Sequence, residues 1–389
     1  MSTLAAPRML STRPQRVAVL WSHLSGYLDA CLRELDARGV ELLASWFRAE
    51  NQAPFAAQQF AWLRDRARGM EWSGTDGIDA TALAAQLDRF DPQLVLVSGW
   101  NHPGYRIAAR LLKGRCVRIL CMDNPWEERA RQWLGRAVAP WYVRPLFEGA
   151  LVAGERQWQF ARRMGFSDDQ ILAGLYAPDA ARFAAADGGP LEARRAFVFV
   201  GRLAPEKGIA TLVEAYRRYR RASTAPWPLT IAGTGPLAAL VGGVEGMQAL
   251  GFVQPQDLPA VLGRHACLVA PSLREPWGVQ ISEGASAGLA LVASTVCGAA
   301  VHLVREGYNG HLVAPGDAPG LARALLRIEG ATDLAALGQR SRQLAAQFTP
   351  ALWAANLLAH PALQNYTAHA GRAAKDARPT EVPARLERT

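Results

Sequence analysis

The chain has 389 residues, half of them hydrophobic, with 43 Lys or Arg against 34 Asp or Glu and a formal net charge of +9. That length exceeds one ordinary domain and supplies material for two sizeable cores, which excludes a small stapled scaffold or a disordered chain. The five cysteines are scattered, with no C-x-x-C pair, so neither a disulfide framework nor a zinc site is indicated and a reducing cytoplasm fits.

The first fifteen residues lack the continuous apolar stretch of a signal peptide, and no run long enough to span a bilayer follows anywhere. RVAVLW at 16–21 reads as a first strand, SHLSGYLDACLRELDARG as a turn and an amphipathic helix, and VELLASWF as a second strand. Ser25 and Gly26 fall in the turn between the first strand and the helix. DPQLVLV at 91–97 and VRILCM at 117–122 are further strands. SGWNHPGYR, with His102, follows one of them, and DNPWEER, beginning at Asp123, follows the other. Each residue has a plain alternative, Asp123 as a cap before Pro125 and His102 as an ordinary loop histidine.

Between 106 and 144 nine Lys or Arg meet three acids, and nine of the twelve tryptophans lie at or before Trp158. RQWLGRAVAPWYVRPLF could lie on an anionic membrane surface, stack acceptor sugars, or be a solvated basic face over core tryptophans. No nucleic-acid motif accompanies the charge, so no nucleic-acid partner is expected. VAGERQWQFARRMGFSDDQI closes the first α/β unit, and the Ala-, Gly- and Pro-rich 176–195 reads as a linker.

AFVFV at 196–200 is a short buried strand. GRLAPEKG, punctuated by Gly201, Pro205 and Gly208, forms the loop, and GIATLVEAYRRY a helix. Arg202 and Lys207 lie in this strand-to-helix loop, where ligands bind in open α/β sheets. Two cations beside a helix N-terminus make a diphosphate site without a metal. PLTIAGTGPL is another strand running into a Gly-rich turn, and GFVQPQDLPAVLGRHACLVAPS repeats strand, helix, strand. Then comes PSLREPWGVQISEGASAG at 271–288, with Glu275 and Glu283 eight apart across a Trp-Gly turn. Pro276 and Gly278 favour a loop at Glu275, and VQISEGASA a short helix carrying Glu283. Two carboxylates flanking free amides at a helix N-terminus suit sugar hydroxyls and phosphate; a capped helix with two surface glutamates is the bland alternative.

The ordered set GRLAPEKG, AGTGP, GFV, the glutamate pair and VCGAAVHLVREGYNGHLVAPGD, within 196–330, resembles the family-4 retaining glycosyltransferases of group 1. The resemblance implies an α/β fold of two facing Rossmann-like domains (GT-B) with a C-terminal helix crossing back to the first. The expected boundaries are 1–180 for an acceptor-side domain, 181–346 for a nucleotide-sugar-binding domain, 347–369 for the crossover helix and 370–389 for a flexible polar tail. It further implies that Arg202 and Lys207 hold the donor diphosphate and Glu283 the ribose hydroxyls. Glu275 would contact the transferred sugar, helped by backbone amides near Trp277 and Gly278, with Val253 beside the nucleobase and Gly26 near the phosphates. Many members carry a histidine after the later strand of the first domain; here Asp123 or Asn124 stands there, and His102 follows the neighbouring strand.

The expected function is therefore transfer of a hexose from a nucleoside-diphosphate sugar to a hydroxyl of a glycan or glycolipid, with retention. No cofactor or metal is expected, because no D-x-D triplet occurs and the nucleoside-diphosphate sugar is itself the donor substrate. The expected location is the cytoplasm, with peripheral contact at the inner membrane face. Two alternatives stand: a nucleotide-sugar epimerase on the same scaffold, and a non-catalytic sugar-nucleotide-binding subunit of a polysaccharide assembly complex.

Overall fold

The computed structural model describes residues 16–47, 54–55, 60–66, 69–72, 78–185 and 189–363. The polar tail expected at 370–389 lies outside them.

The first sheet contains β1 (Arg16–Leu20), β2 (Glu41–Phe47), β3 (Met70–Trp72), β4 (Leu94–Ser98), β5 (Val117–Met122), β6 (Gly149–Val152) and β7 (Ile171–Ala173), in the order β3-β2-β1-β4-β5-β6-β7. The second contains β8 (Phe197–Val200), β9 (Leu229–Ala232), β10 (Met247–Gly251), β11 (Cys267–Ala270), β12 (Ala290–Ser294) and β13 (Gly310–Val313), in the order β10-β9-β8-β11-β12-β13. Every pairing in both sheets is parallel. Parallel strands are covered on both faces by their crossover helices, which is why VAVL, LVLV, ILCM and CLVA are continuous apolar runs rather than alternating ones.

In each sheet the strand order reverses beside the first strand, between β1 and β4 and again between β8 and β11. Ligands of open α/β sheets bind outside the carboxyl ends of the strands at such points. Those ends carry the segments singled out in the sequence: 21–26 after β1, 99–102 after β4, 123–124 after β5, 201–208 after β8 and 271–278 after β11.

One apolar cluster runs from the first sheet, through Tyr176, Trp277 and Phe348, into the second. The helix Pro350–Leu358 returns the chain to the first domain. Thr349 Oγ1 caps it by accepting from Leu352 N (3.2 Å), Trp353 and Leu357 are buried, and Arg38 Nη2 donates to Ala351 O (2.9 Å). The segment 176–195 is built rather than open: it contains a helix, Ala180–Ala184, capped by Asp179 and carrying buried Phe183.

Candidate donor and acceptor sites in the interdomain cleft

The loops after β8, β9 and β11 press together backbone to backbone. Gly208 adopts a left-handed φ of 70°, and a Cβ there would strike the Pro271 carbonyl; at Gly233 and Gly235 it would strike the carbonyls of Gly201 and Leu203. Only glycine permits such approaches, which gives Gly208 of GRLAPEKG and both glycines of AGTGP a steric cause. Glu206 O accepts from Leu273 N (2.8 Å) and Arg274 N (3.1 Å), clamping the two charged loops side by side.

That clamp brings Lys207 and Glu275 into a direct ion pair, Nζ to Oε2, with both side chains largely buried. Gln280 Nε2 (3.3 Å) and Ser272 Oγ (3.5 Å) donate to the same Oε2, so that oxygen is saturated. Among the described residues no donor reaches Oε1. Arg202 pairs with Glu206 across one turn of the loop and remains 61% exposed, a surface pair that an anionic ligand can displace.

Gly278, with φ of 100°, starts the helix Val279–Ser286; its missing side chain leaves room for Glu275, whose Cγ would lie 3.1 Å from an added Cβ. Glu283 sits half-buried on this helix with no hydrogen-bond partner among the described residues, and burial pushes its carboxyl up to about 7. The Trp277 ring is buried against Tyr176, His302 and Phe348 at 6.5, 5.6 and 5.4 Å between centroids, which leaves only its backbone to face the loop. Val253, after β10, is half-buried at the edge of the same cluster.

Across the cleft, a cavity of ≈ 670 Å³ is lined by Ser22, His23, His102, Asp123, Tyr176 and Arg274, among others. Asp123 repeats the arrangement of Glu275. Its Oδ2 accepts from Tyr176 Oη (2.8 Å), while among the described residues no donor reaches Oδ1. His102 stands before the helix Pro103–Leu111 and packs against Phe47 at 4.7 Å between ring centroids, the rings tilted by 49°. Burial and the nearby His23 hold its imidazole below the ordinary value, so it is neutral at pH 7. Gly26 is the first residue of the helix Gly26–Ala37, not part of an open loop, so only the helix N-terminus offers amides there.

The two halves are tied together. Buried Gln157 donates from Nε2 to Asp123 O (2.8 Å) and Pro276 O (2.7 Å). Arg156 donates to Val296 O (2.7 Å) and Thr295 O (2.6 Å), and Glu155 N donates to His302 Nε2 (3.1 Å). Arg274 pairs with Glu127 at 3.1 Å, and both residues also line a second cavity of ≈ 500 Å³ that contains Glu275. This ion pair therefore stands between the Asp123 cavity and the Glu275 cavity. Sequence reasoning missed His23, Tyr176, Gln157 and Arg274; His23 alone carried a signal, lying just past the end of the first strand.

Residues 194–329 match the family model described as "Glycosyl transferases group 1". The glycogen synthase of Mycobacterium tuberculosis is 33% identical over 171 residues, 42% of this chain and 40% of that protein. The alpha-D-kanosaminyltransferase of Streptomyces kanamyceticus is 31% identical over 146 residues, 36% of this chain and 37% of that protein. The chain thus matches about two fifths of the length of these curated relatives. Among solved structures, Anabaena HepE in complex with UDP and glucose superposes with a TM-score of 0.67 at 16% identity, covering 92% of this chain and 99% of that one. Sucrose-phosphate synthase from Thermosynechococcus elongatus gives 0.65 at 17% identity, covering 94% and 100%. The chain has the two-domain GT-B fold, and its residues 194–329 match the group 1 glycosyltransferase family model.

Proposed function

We propose that this chain transfers a hexose from a nucleoside-diphosphate sugar to a hydroxyl of a glycan or glycolipid, retaining anomeric configuration and working without a metal. The observation that carries the reading is the Lys207–Glu275 pair beside the start of the helix Val279–Ser286, with the Glu283 carboxyl, unpartnered among the described residues, one turn further on. Cations, helix amides and carboxylates are there in the combination a nucleoside-diphosphate sugar needs.

In this reading Arg202, Lys207 and the amides near Trp277 and Gly278 hold the diphosphate and stabilise the charge that develops on it as it leaves. Glu283 accepts from the ribose hydroxyls, and Val253 lies by the base. Glu275 Oε1 accepts from the transferred sugar. The bond from the anomeric carbon to the diphosphate breaks, the acceptor oxygen bonds to that carbon on the same face, and its proton passes to the departing phosphate. Asp123 Oδ1 and His102 lie on the acceptor side, where they orient the hydroxyl. The complexes of Anabaena HepE with UDP, UDP-glucose, and UDP and glucose support a uridine nucleotide as the donor class. Five buried, unpaired cysteines support a reducing, cytoplasmic setting. His302, which an epimerase would want as an acid or base, is engaged by Glu155 N, and this favours the transferase.

The test is a thermal-shift panel of nucleoside diphosphates and their sugars with EDTA or Mg²⁺, followed by sugar transfer by wild type, Arg202→Ala and Lys207→Ala. One nucleotide series should stabilise in EDTA, and each variant should lose about 100-fold in turnover while remaining folded. Unchanged turnover in both variants would overturn the diphosphate assignment.

A further inference from the structure

The helix Ala130–Tyr142 is built inside out. Of its thirteen residues only Ala139 is buried, with Gly135 and Gln132 half-buried on the same side, so small residues face the protein. The opposite side carries large apolar ones: Trp133 is 47% exposed, Leu134 66%, Val138 39% and Trp141 79%, while Tyr142, 41% exposed, lies beside Gly135 toward the neighbouring helix. Their spacing, 134/138/141 and 133/137/141, makes one continuous outward stripe. The stripe extends to the neighbouring helix Pro103–Leu111, where Ile107 and Leu111 are exposed one turn apart, and Arg106 lies over the Tyr142 ring at 3.8 Å between the two helices. Monomeric soluble proteins rarely leave so many large apolar side chains together on one face.

Charge says what covers it. Arg110, Lys113 and Arg131 are exposed around the stripe and make no ion pair with any described residue, and Arg136 lies over the Trp133 ring. A second copy of this chain would bring arginines against arginines across a two-fold axis. A surface rich in anionic headgroups meets them with opposite charge, and tryptophan and tyrosine rings settle at headgroup depth. Among the described residues no helix is long and apolar enough to cross a membrane, so this contact is peripheral.

We propose that the Ala130–Tyr142 helix, with the exposed edge of Pro103–Leu111, docks the protein on an anionic lipid bilayer. Leu134 and Val138 also line the cavity that holds Asp123 and His102, so the bilayer lies against the acceptor side of the cleft. Resting on the transferase reading, this names the acceptor class: a lipid-linked hydroxyl, presented at the membrane, rather than a free oligosaccharide in solution.

The full chain is co-sedimented with vesicles of phosphatidylcholine alone or mixed with phosphatidylglycerol, at low and high salt, while tryptophan emission is followed. Binding to the anionic vesicles, with a blue shift and weakening at high salt, is expected. Trp141→Glu should abolish it, and Lys113→Gln should weaken it roughly fivefold. Trp141 and Lys113 are exposed, so both variants should keep the wild-type melting temperature. Equal binding by Trp141→Glu and wild type, no binding of wild type to anionic vesicles, or a Trp141-dependent dimer in light scattering would overturn docking. Donor-induced thermal shifts without vesicles test the transferase reading separately, so the two can fail independently. Better use of a water-soluble glycan than of a lipid-linked one by vesicle-bound protein would overturn the acceptor assignment alone.

Discussion

Replacing Glu283 with Gln should stabilise the ligand-free protein, and only above a particular pH. Burial raises the Glu283 carboxyl from an ordinary 4.5 to about 7. A folded-state pKa above the unfolded one means that the fold favours the protonated acid. Below pH 4.5 both states carry the proton and the residue costs nothing. Between 4.5 and about 7 the unfolded chain ionises while the folded one does not, so stability falls as pH rises, and the loss is complete above 7. The displacement corresponds to about 3 kcal/mol. A glutamine fills the same space without a charge to desolvate. The melting temperature of Glu283→Gln minus that of wild type should therefore grow by roughly 4 °C between pH 4.5 and pH 8.5 if the whole chain unfolds together, and by about twice that if the second domain melts alone. Differential scanning calorimetry at those two pH values measures it. A difference that is the same at both would refute the assignment of a raised carboxyl, and a difference of opposite sign would place a cation beside Glu283.

The same carboxyl should report ligand binding. Ribose hydroxyls donating to Glu283 favour its ionised form, so a nucleoside diphosphate binding near pH 7 should release a proton, seen as a buffer-dependent enthalpy in titration calorimetry; no buffer dependence in wild type would remove the ribose from Glu283. Gly208→Ala drives a Cβ into the Pro271 carbonyl and should cost roughly 2–4 kcal/mol, whereas Gly39→Ala, at a similar φ of 79° but with open space around it, should cost about 1 kcal/mol in denaturant unfolding. Tyr176→Phe removes the hydroxyl that fixes Asp123; we expect about a tenfold fall in turnover with little change in donor-induced thermal shift, and a lost donor shift would instead make Tyr176 part of the donor pocket. Because His102 is held below the ordinary imidazole value, the acid limb of the rate profile should lie below pH 6.5, and His102→Gln should remove that limb if the imidazole faces the acceptor.

The second domain was largely legible because its signals are local. Gly208 and Gly233 lie at their contacts through single loops whose composition announces them, and the Val279–Ser286 helix begins at the Gly278 that closes the turn. The pairing of Lys207 with Glu275 was not legible, since 68 residues separate them and only the β8–β11 adjacency brings them together. The first domain was read through its long apolar strands; β3 escaped because Met-Glu-Trp is too short to show a period. Tyr176 was assigned to a linker by composition, yet its hydroxyl meets Asp123 from 53 residues away. Gly26 shows the converse: a glycine after a strand suggests an open turn, but this one already belongs to the helix.

The bridges between the domains have a consequence for how such a chain can diverge. Arg156 and Gln157 grip Val296, Thr295, Pro276 and Asp123 through main-chain carbonyls, and His302 is met by a main-chain N–H. A carbonyl survives any substitution that keeps the local backbone path. The side chains at 295 and 296 are thus free to vary with the sugar being handled, while the main-chain bridges that align the two halves persist. Exchanging the first domain for that of a relative should therefore disturb the alignment least where the Arg-Gln dipeptide at the start of the Glu155–Arg163 helix is retained and the recipient keeps Gly298, at which a Cβ would strike the Pro276 carbonyl.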